Sequence, residues 1–313
     1  MTYVYDRAVC TGLGDRVGAL MTLATLARVH DVEVVFRWCG DPSEIYPTQR
    51  AFMPKWHGFD YNLTEFQRRF WPDSLQISMV YPNLTREQLE SPQKIVWQGL
   101  RVPAESALDQ IYPTAWMAVE VPGRPAPDPE TYKESYRWVG RTVMAHYWAH
   151  NSNDSRLEGG YIALHMRGPD DNTYSQHEGC HDGPKTYCTM RVVNRLRKEI
   201  PRVTIVVLTN NAEWAKQALS PKKVIISQDV EDYDDFALLL GAKAIVQHAN
   251  FGWSSFSSNP AMIAGVPLLT TFRRRIVQEH RFNIFKNYGG IPDEFHDCEQ
   301  IPEFVQKVKE KFS

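Results

Sequence analysis

Tyr161-Ile-Ala-Leu164-His165-Met166-Arg167-Gly168-Pro169-Asp170 is the segment richest in potential chemistry. Strand-forming residues run into a His, an Arg and an Asp, and Gly-Pro then stops the strand. This puts three polar side chains at the carboxyl end of a strand, where ligands bind in open α/β sheets. A guanidinium there is rigid, always charged and suited to bidentate phosphate binding. Two further segments end strands in the same half of the chain: Thr209-Asn210-Asn211 and Phe251-Gly-Trp-Ser254-Ser255-Phe256-Ser257-Ser258. The second also opens a helix, so its hydroxyls and amides suit an anion. The alternative is that these serines only cap the helix.

Positioning these groups requires a parallel sheet. Strand and helix patterns alternate at short spacing from residue 160 to 272, as in a doubly wound fold. The strands are Tyr161–His165, Val203–Leu208, Val224–Ser227, Ala244–Gln247 and Pro267–Thr271. The helices are Lys185–Ile200, Ala212–Leu219, Asp232–Leu240 with Gly241 as a C-cap candidate, Ser257–Ala264 closed by Gly265, and Ile301–Phe312. The N-terminus opens as βαβ: a strand over Val4–Cys10, a Gly12-Leu13-Gly14-Asp15 turn, a helix over Val17–Val29 and a buried strand over Val32–Trp38. Residues 40 to 130 are irregular and rich in Pro and aromatics, and a helix follows over Glu130–His150. The fold class is α/β, with two Rossmann-like doubly wound parallel-sheet domains, 1–150 and 151–313, facing a cleft.

Composition narrows the function. Of 313 residues, 43% are hydrophobic and 23% charged, and the net charge is −2, which gives no reason to expect nucleic-acid binding. No apolar run reaches the length of a membrane span, and the N-terminus lacks a signal-peptide layout. The expected setting is cytoplasmic, or that of a soluble catalytic part lacking a Golgi anchor. Five cysteines without framework spacing point to free thiols in a reducing compartment. Sequons at Asn62, Asn83 and Asn153 are then chance matches. The nine Trp and fourteen Tyr serve core packing or a sugar-stacking cleft. His177, Cys180, His181 and Cys188 miss standard zinc spacings, so no metal is expected. Arg273-Arg274-Arg275 fits a solvated face.

The ordered motifs resemble the fucosyltransferase superfamily (α1,2-, α1,6- and protein O-). His165-x-Arg167-x-x-Asp170 looks like its first shared motif. Thr209-Asn-Asn-Ala-Glu213-Trp214 resembles the Ser-Asp-Asp-Pro-x-Trp segment of the α1,2 enzymes, the closest group in motif order. Asp232-Tyr-Asp-Asp-Phe236-Ala-Leu238 looks like the helix before their last motif. Ser254-Ser255-Phe256-Ser257 is identical to their Ser-Ser-Phe-Ser, and Gly12-Leu13-Gly14-Asp15-Arg16 resembles their Gly-rich turn.

The resemblance implies a GT-B fold, transfer of fucose from GDP-fucose to a glycan hydroxyl with inversion, and no metal cofactor. The donor would be a nucleotide sugar and the acceptor a glycan, bound by the N-terminal domain. It implies that Arg167 stabilises the leaving diphosphate, that His165 and Asn211 lie at the nucleotide, and that Ser255, Phe256 and Ser257 hold the phosphates. Gly12, Gly14, Asp15 and Arg16 would sit over the donor sugar. Asp170 is the candidate base, with Asp171 and Glu178 as others. Two departures matter: Asn210-Asn211 replaces an acidic pair, and Gly168 stands where α1,2 enzymes carry a second Arg. The alternatives are another nucleotide sugar on the same fold, or a glycan-binding protein without turnover.

Overall fold

The computed structural model describes residues 2–5, 13–38, 61–80, 94–97, 121, 123–125, 127–151, 157–166, 184–209, 211–219, 224–227, 232–248, 254–271, 294–296 and 298–313. They form two compact units that change over between His150 and Asn151.

In the first unit, β1 (Thr2–Tyr5), α1 (Leu13–His30) and β2 (Glu33–Arg37) are followed by α2 (Leu63–Phe70), β3 (Ile77–Val80), β4 (Lys94–Trp97) and α3 (Pro129–His150). The sheet order is β3-β2-β1-β4, and every pairing is parallel. The chain builds outward from β1 through β2 to β3, then returns to place β4 on the other side of β1. The irregular middle therefore contributes two strands of this sheet.

Aromatic residues hold the unit together. Trp38, Phe66, Phe70, Trp71 and Tyr147 are all buried. The Trp38 and Phe66 rings lie 4.8 Å apart, and Trp38 Nε1 donates to Tyr61 O at 2.8 Å. At these positions the aromatic content is core. Among the described residues of this unit, Trp148 differs, at 48% exposed.

In the second unit, β5 (Tyr161–Met166), α4 (Pro184–Glu199), β6 (Thr204–Leu208), α5 (Ala212–Leu219) and β7 (Val224–Ile226) run outward in one direction. Then α6 (Asp232–Gly241), β8 (Ala244–His248), α7 (Ser255–Ala264), β9 (Leu268–Thr270), β10 (Glu294–His296) and α8 (Ile301–Phe312) fill the other side. The order is β10-β9-β8-β5-β6-β7, parallel throughout. Strands covered on both faces need continuous hydrophobic runs. Two clusters supply the cover. Ile162, Leu164, Ile205, Val207 and Val246 pack with α4 and α8 residues on one face. Ala163, Val206, Leu208 and Ile245 pack with Leu239 and Ala261 on the other.

Terminal α8 shows why such helices form where they do. Ile301, Phe304, Val305 and Val308 are buried, at the i, i+3, i+4, i+7 spacing of one helical face. Helix α7 ends at Gly265, whose φ of 63° is the left-handed conformation a C-cap glycine supplies.

Four expectations are corrected. Helix α1 starts at Leu13, so Leu13, Gly14, Asp15 and Arg16 form its first turn, not a turn before it. Leu13, at 0% exposed, is drawn into the core, and that burial extends the helix backward. Strand β1 spans Thr2–Tyr5 rather than Val4–Cys10; residues 6–12 lie outside the described residues. Gly241 is the last residue of α6 and has no positive φ, so it is not a left-handed cap. The fourth concerns the thiols: Cys188 on α4 is bonded to Cys298, in the 3-10 turn Cys298–Gln300 before α8, with Cα atoms 5.2 Å apart. The two are separated by 110 residues, which no local spacing pattern reveals. The case for a reducing compartment loses this pair.

Among the described residues no helix is long and apolar enough to cross a membrane. The disulfide closes a long loop, and losing such a closure costs about 4 kcal/mol in the chain-entropy account. Cys188→Ser is expected to lower the melting temperature, and Cys188 and Cys298 should resist alkylation until reductant is added. Ready alkylation of both in the unreduced, unfolded protein would contradict the pairing.

Candidate functional site

Among the described strands of the second unit, the chain reverses its direction of growth once, at β5. From β5 it proceeds outward to β6 and β7, and then returns to β8 on the opposite side of β5. The helices that follow β5 and β8 pack on opposite faces of the sheet, the arrangement at which open α/β sheets form a ligand crevice. His165 near the end of β5 is in register with Gln247 of β8, which is in register with Thr270 of β9. Partners in parallel register share a face of the sheet, so these three polar side chains line one side of the edge.

Helix α7 presents its N-terminus to that side. His165 Nδ1 lies 3.1 Å from Ser257 Oγ, and its ring centroid is 5.5 Å from that of Phe256. Ser257 is fully buried, and its hydroxyl lies 3.4 Å from Ser254 O, to which it can donate. With its proton spent there, Ser257 Oγ accepts from His165 Nδ1–H, and the network then assigns Nε2 as the acceptor nitrogen. Ser258 Oγ also donates to Ser254 O, at 2.8 Å. Ser254 occupies the N-cap position yet makes no side-chain cap. The serines thus bond within the first turn without satisfying its leading amides in the manner of a Ser cap, which suits an anion.

The other face of the same edge is also polar. His248 ends β8 at 1% exposure, and its Nδ1 lies 2.7 Å from Thr189 Oγ1 of α4. Thr271 Oγ1 donates to Gln247 O at 3.3 Å. Polar side chains are costly to bury without partners, so hydrogen bonds across the edge are required. Thr189 directly follows Cys188, so the disulfide holds the turn of α4 that supports His248.

Asp235 escaped the sequence reading. This carboxyl in the first turn of α6 accepts from Ser227 Oγ, just past β7, at 2.8 Å. Burial pushes its pKa up to about 6; the Ser227 hydrogen bond opposes this, and Asp232 and Asp234 add to it. A carboxyl with a raised pKa at a strand edge is a functional-site signal. Its place in an acidic first turn, where helix-dipole complementarity alone accounts for Asp, concealed it.

Asn211 has a local role. Its Oδ1 accepts from Trp214 N at 2.9 Å, capping α5, and its own N–H donates to Thr209 Oγ1 at 3.1 Å. Its acceptor oxygen is committed to the helix, which leaves the Nδ2 donors for a ligand.

Arg167 and Asp170 lie outside the described residues, as do Gly12, Asp171 and Glu178. Gly14 and Asp15 lie in the first turn of α1, in the first unit. Arg16 is 1% exposed there, its guanidinium 5.0 Å from the Trp38 ring centroid and 4.9 Å from that of Tyr61. Desolvated cation–π contacts of this kind contribute up to about 2 kcal/mol. Among the described residues no group of three His, Cys, Asp or Glu side chains is placed to hold a metal ion. Cys188 is covalently occupied, which removes it from the His177-Cys180-His181-Cys188 set.

No family model and no curated protein sequence matches the chain. Solved structures do. E. coli heptosyltransferase WaaC with ADP has a TM-score of 0.50 and 12% identity, covering 98% of this chain and 100% of that one. The chain has the GT-B fold. Lower scores are found with UDP-GlcNAc 2-epimerase from Methanocaldococcus jannaschii (TM-score 0.47, 10% identity, 100% and 93% covered) and POFUT1 in complex with GDP (0.38, 11%, 95% and 97%). At such identities the likeness concerns the fold and leaves function to the site.

Two outcomes test the geometry. Ser257→Ala removes the hydroxyl that pairs with His165 Nδ1 and should cost about 1 kcal/mol in a urea titration. The folded pKa of Asp235 exceeds its unfolded value of 3.8, so the folded chain holds the extra proton between them. That stability is fully present below the unfolded pKa and is lost as pH rises through about 6. Asp235→Asn should therefore be more stable than the native chain at alkaline pH, with the advantage shrinking in acid. A pH-independent difference would remove burial of this carboxyl as the cause.

Proposed function

We propose that the chain is an inverting glycosyltransferase that moves fucose from GDP-fucose to a glycan hydroxyl without a metal cofactor. The observation that carries the transferase reading is the α7 N-terminus at the reversal point, with Ser257 joined to His165. Backbone amides and Ser255, Phe256 and Ser257 would receive the diphosphate. Arg167, which follows β5 directly in sequence, would meet the charge that develops as the sugar–oxygen bond breaks. Such a group favours the transition state over the ground state, and removing one typically costs about 10²–10³ in rate. Asp170 would take the acceptor proton. Asp235 is suited to accept from base or ribose donors at the nucleotide end.

The fucose and guanosine assignments rest on the motif resemblance. A second reading, another nucleotide sugar on the same fold, is favoured by Asn211, whose oxygen is engaged by Trp214 N. The first unit would bind the acceptor. A glycan-binding protein without turnover differs from both in showing nucleotide affinity and no transfer.

Calorimetric titration with GDP, UDP, ADP and CMP, each with and without EDTA, separates these readings. The expected result is micromolar GDP binding, indifferent to EDTA and lost in Arg167→Ala, followed by GDP-fucose turnover. Preference for UDP or ADP, or dependence on a metal, would overturn the donor assignment. The absence of any nucleotide binding would overturn the phosphate site itself.

A further inference from the structure

We propose that Asn62 carries an N-linked glycan. Asn62-Leu63-Thr64 is an N-glycosylation acceptor sequence. Such triplets arise by chance, and only a secretory setting gives them meaning. The Cys188–Cys298 disulfide supplies an observation about that setting. Structural disulfides form and persist in oxidising compartments and are rare in the cytosol. The compartment that oxidises this pair in a eukaryotic cell is the one where N-glycans are transferred.

Local geometry admits the modification. Asn62 and Thr64 are exposed, whereas Tyr61 and Leu63 are buried at 7% and 4% exposure. The buried neighbours fix the triplet to the body of the unit, and the Tyr61 carbonyl is held by Trp38 Nε1. Asn62 is the N-cap of α2, and its Oδ1 accepts from Glu65 N at 3.0 Å. A glycan attaches through Nδ2, so the capping oxygen keeps its bond. In the transfer, Nδ2 bonds to the anomeric carbon of a lipid-pyrophosphate-linked oligosaccharide. The sugar–oxygen bond breaks, the pyrophosphate leaves with its electron pair, and one Nδ2 proton passes to a base of the transferring enzyme. The remaining N–H stays on the amide. Cap and glycan are therefore compatible on one side chain, which a buried asparagine would not allow.

The test is peptide mapping of the protein purified from its own cells. Trypsin releases the segment from Trp56 to Arg68. The expected result is that this peptide is recovered only after peptide-N-glycosidase, with Asn62 converted to Asp. Thr64→Ala, expressed in the same cells, should yield the peptide unmodified while the α2 cap and the melting temperature are retained. Recovery of the native peptide with an intact, unmodified Asn62 and no glycosidase would overturn the proposal. So would alkylation of Cys188 and Cys298 as free thiols in the native protein.

Discussion

The structure of the second unit depends on one constraint: a parallel sheet that grows outward from β5 in both directions must reverse at β5. At the reversal, the helices that follow neighbouring strands pack on opposite faces of the sheet. The carboxyl edge is thus the part of the sheet where polar side chains enter an otherwise apolar interior: Gln247, His248 and Thr270 are buried there, and His165 is half-buried. His165, Gln247 and Thr270 fall there on one face, and Met166 and His248 on the other. Within the body of the sheet the same strands are apolar. The polarity changes over one or two residues although burial does not: Val246 is 1% exposed, Gln247 0% and His248 1%.

Buried polar groups at such an edge must be tied to one another or they destabilise the fold. Ser257 connects α7 to β5 through His165, and Thr189 connects α4 to β8 through His248. Two helices on opposite faces are thereby pinned to adjacent strands at the crevice. Asp235 is held less comfortably, since Ser227 offsets only part of the cost of burying its charge. Retaining a group that weakens the fold at neutral pH is the pattern expected where a ligand supplies the missing partner.

Much of this was legible in the sequence, for identifiable reasons. Ile301, Phe304, Val305 and Val308 mark their helix because burial on one face imposes a 3.6-residue period. Strands β5, β6, β8 and β9 are readable because burial on both faces makes them largely apolar runs, whereas edge strand β10, Glu294-Phe295-His296, has no such run and was not read. The α1 boundary was not readable, because Gly14 signals a turn locally while burial of Leu13 decides otherwise. Asn211 looks like a ligand residue by motif position, yet a short Asn before a helix also makes a good cap, and the backbone of Trp214 takes its oxygen. The disulfide is a contact across 110 residues. Only the fold brings α4 and the start of α8 together.

That disulfide also bears on how the site is held. Cys188 immediately precedes Thr189, so the covalent tie to Cys298 and the hydrogen bond to His248 act on the same helical turn. A hydrogen bond to a buried histidine contributes on the order of 1 kcal/mol and does not by itself fix a helix. A covalent closure limits the conformations of α4 in which that bond is broken. The rigidity of the crevice on its α4 face thus rests on covalent chemistry, and on its α7 face on hydrogen bonds among Ser254, Ser257 and His165. On the α7 face the first turn can therefore shift without breaking a covalent bond.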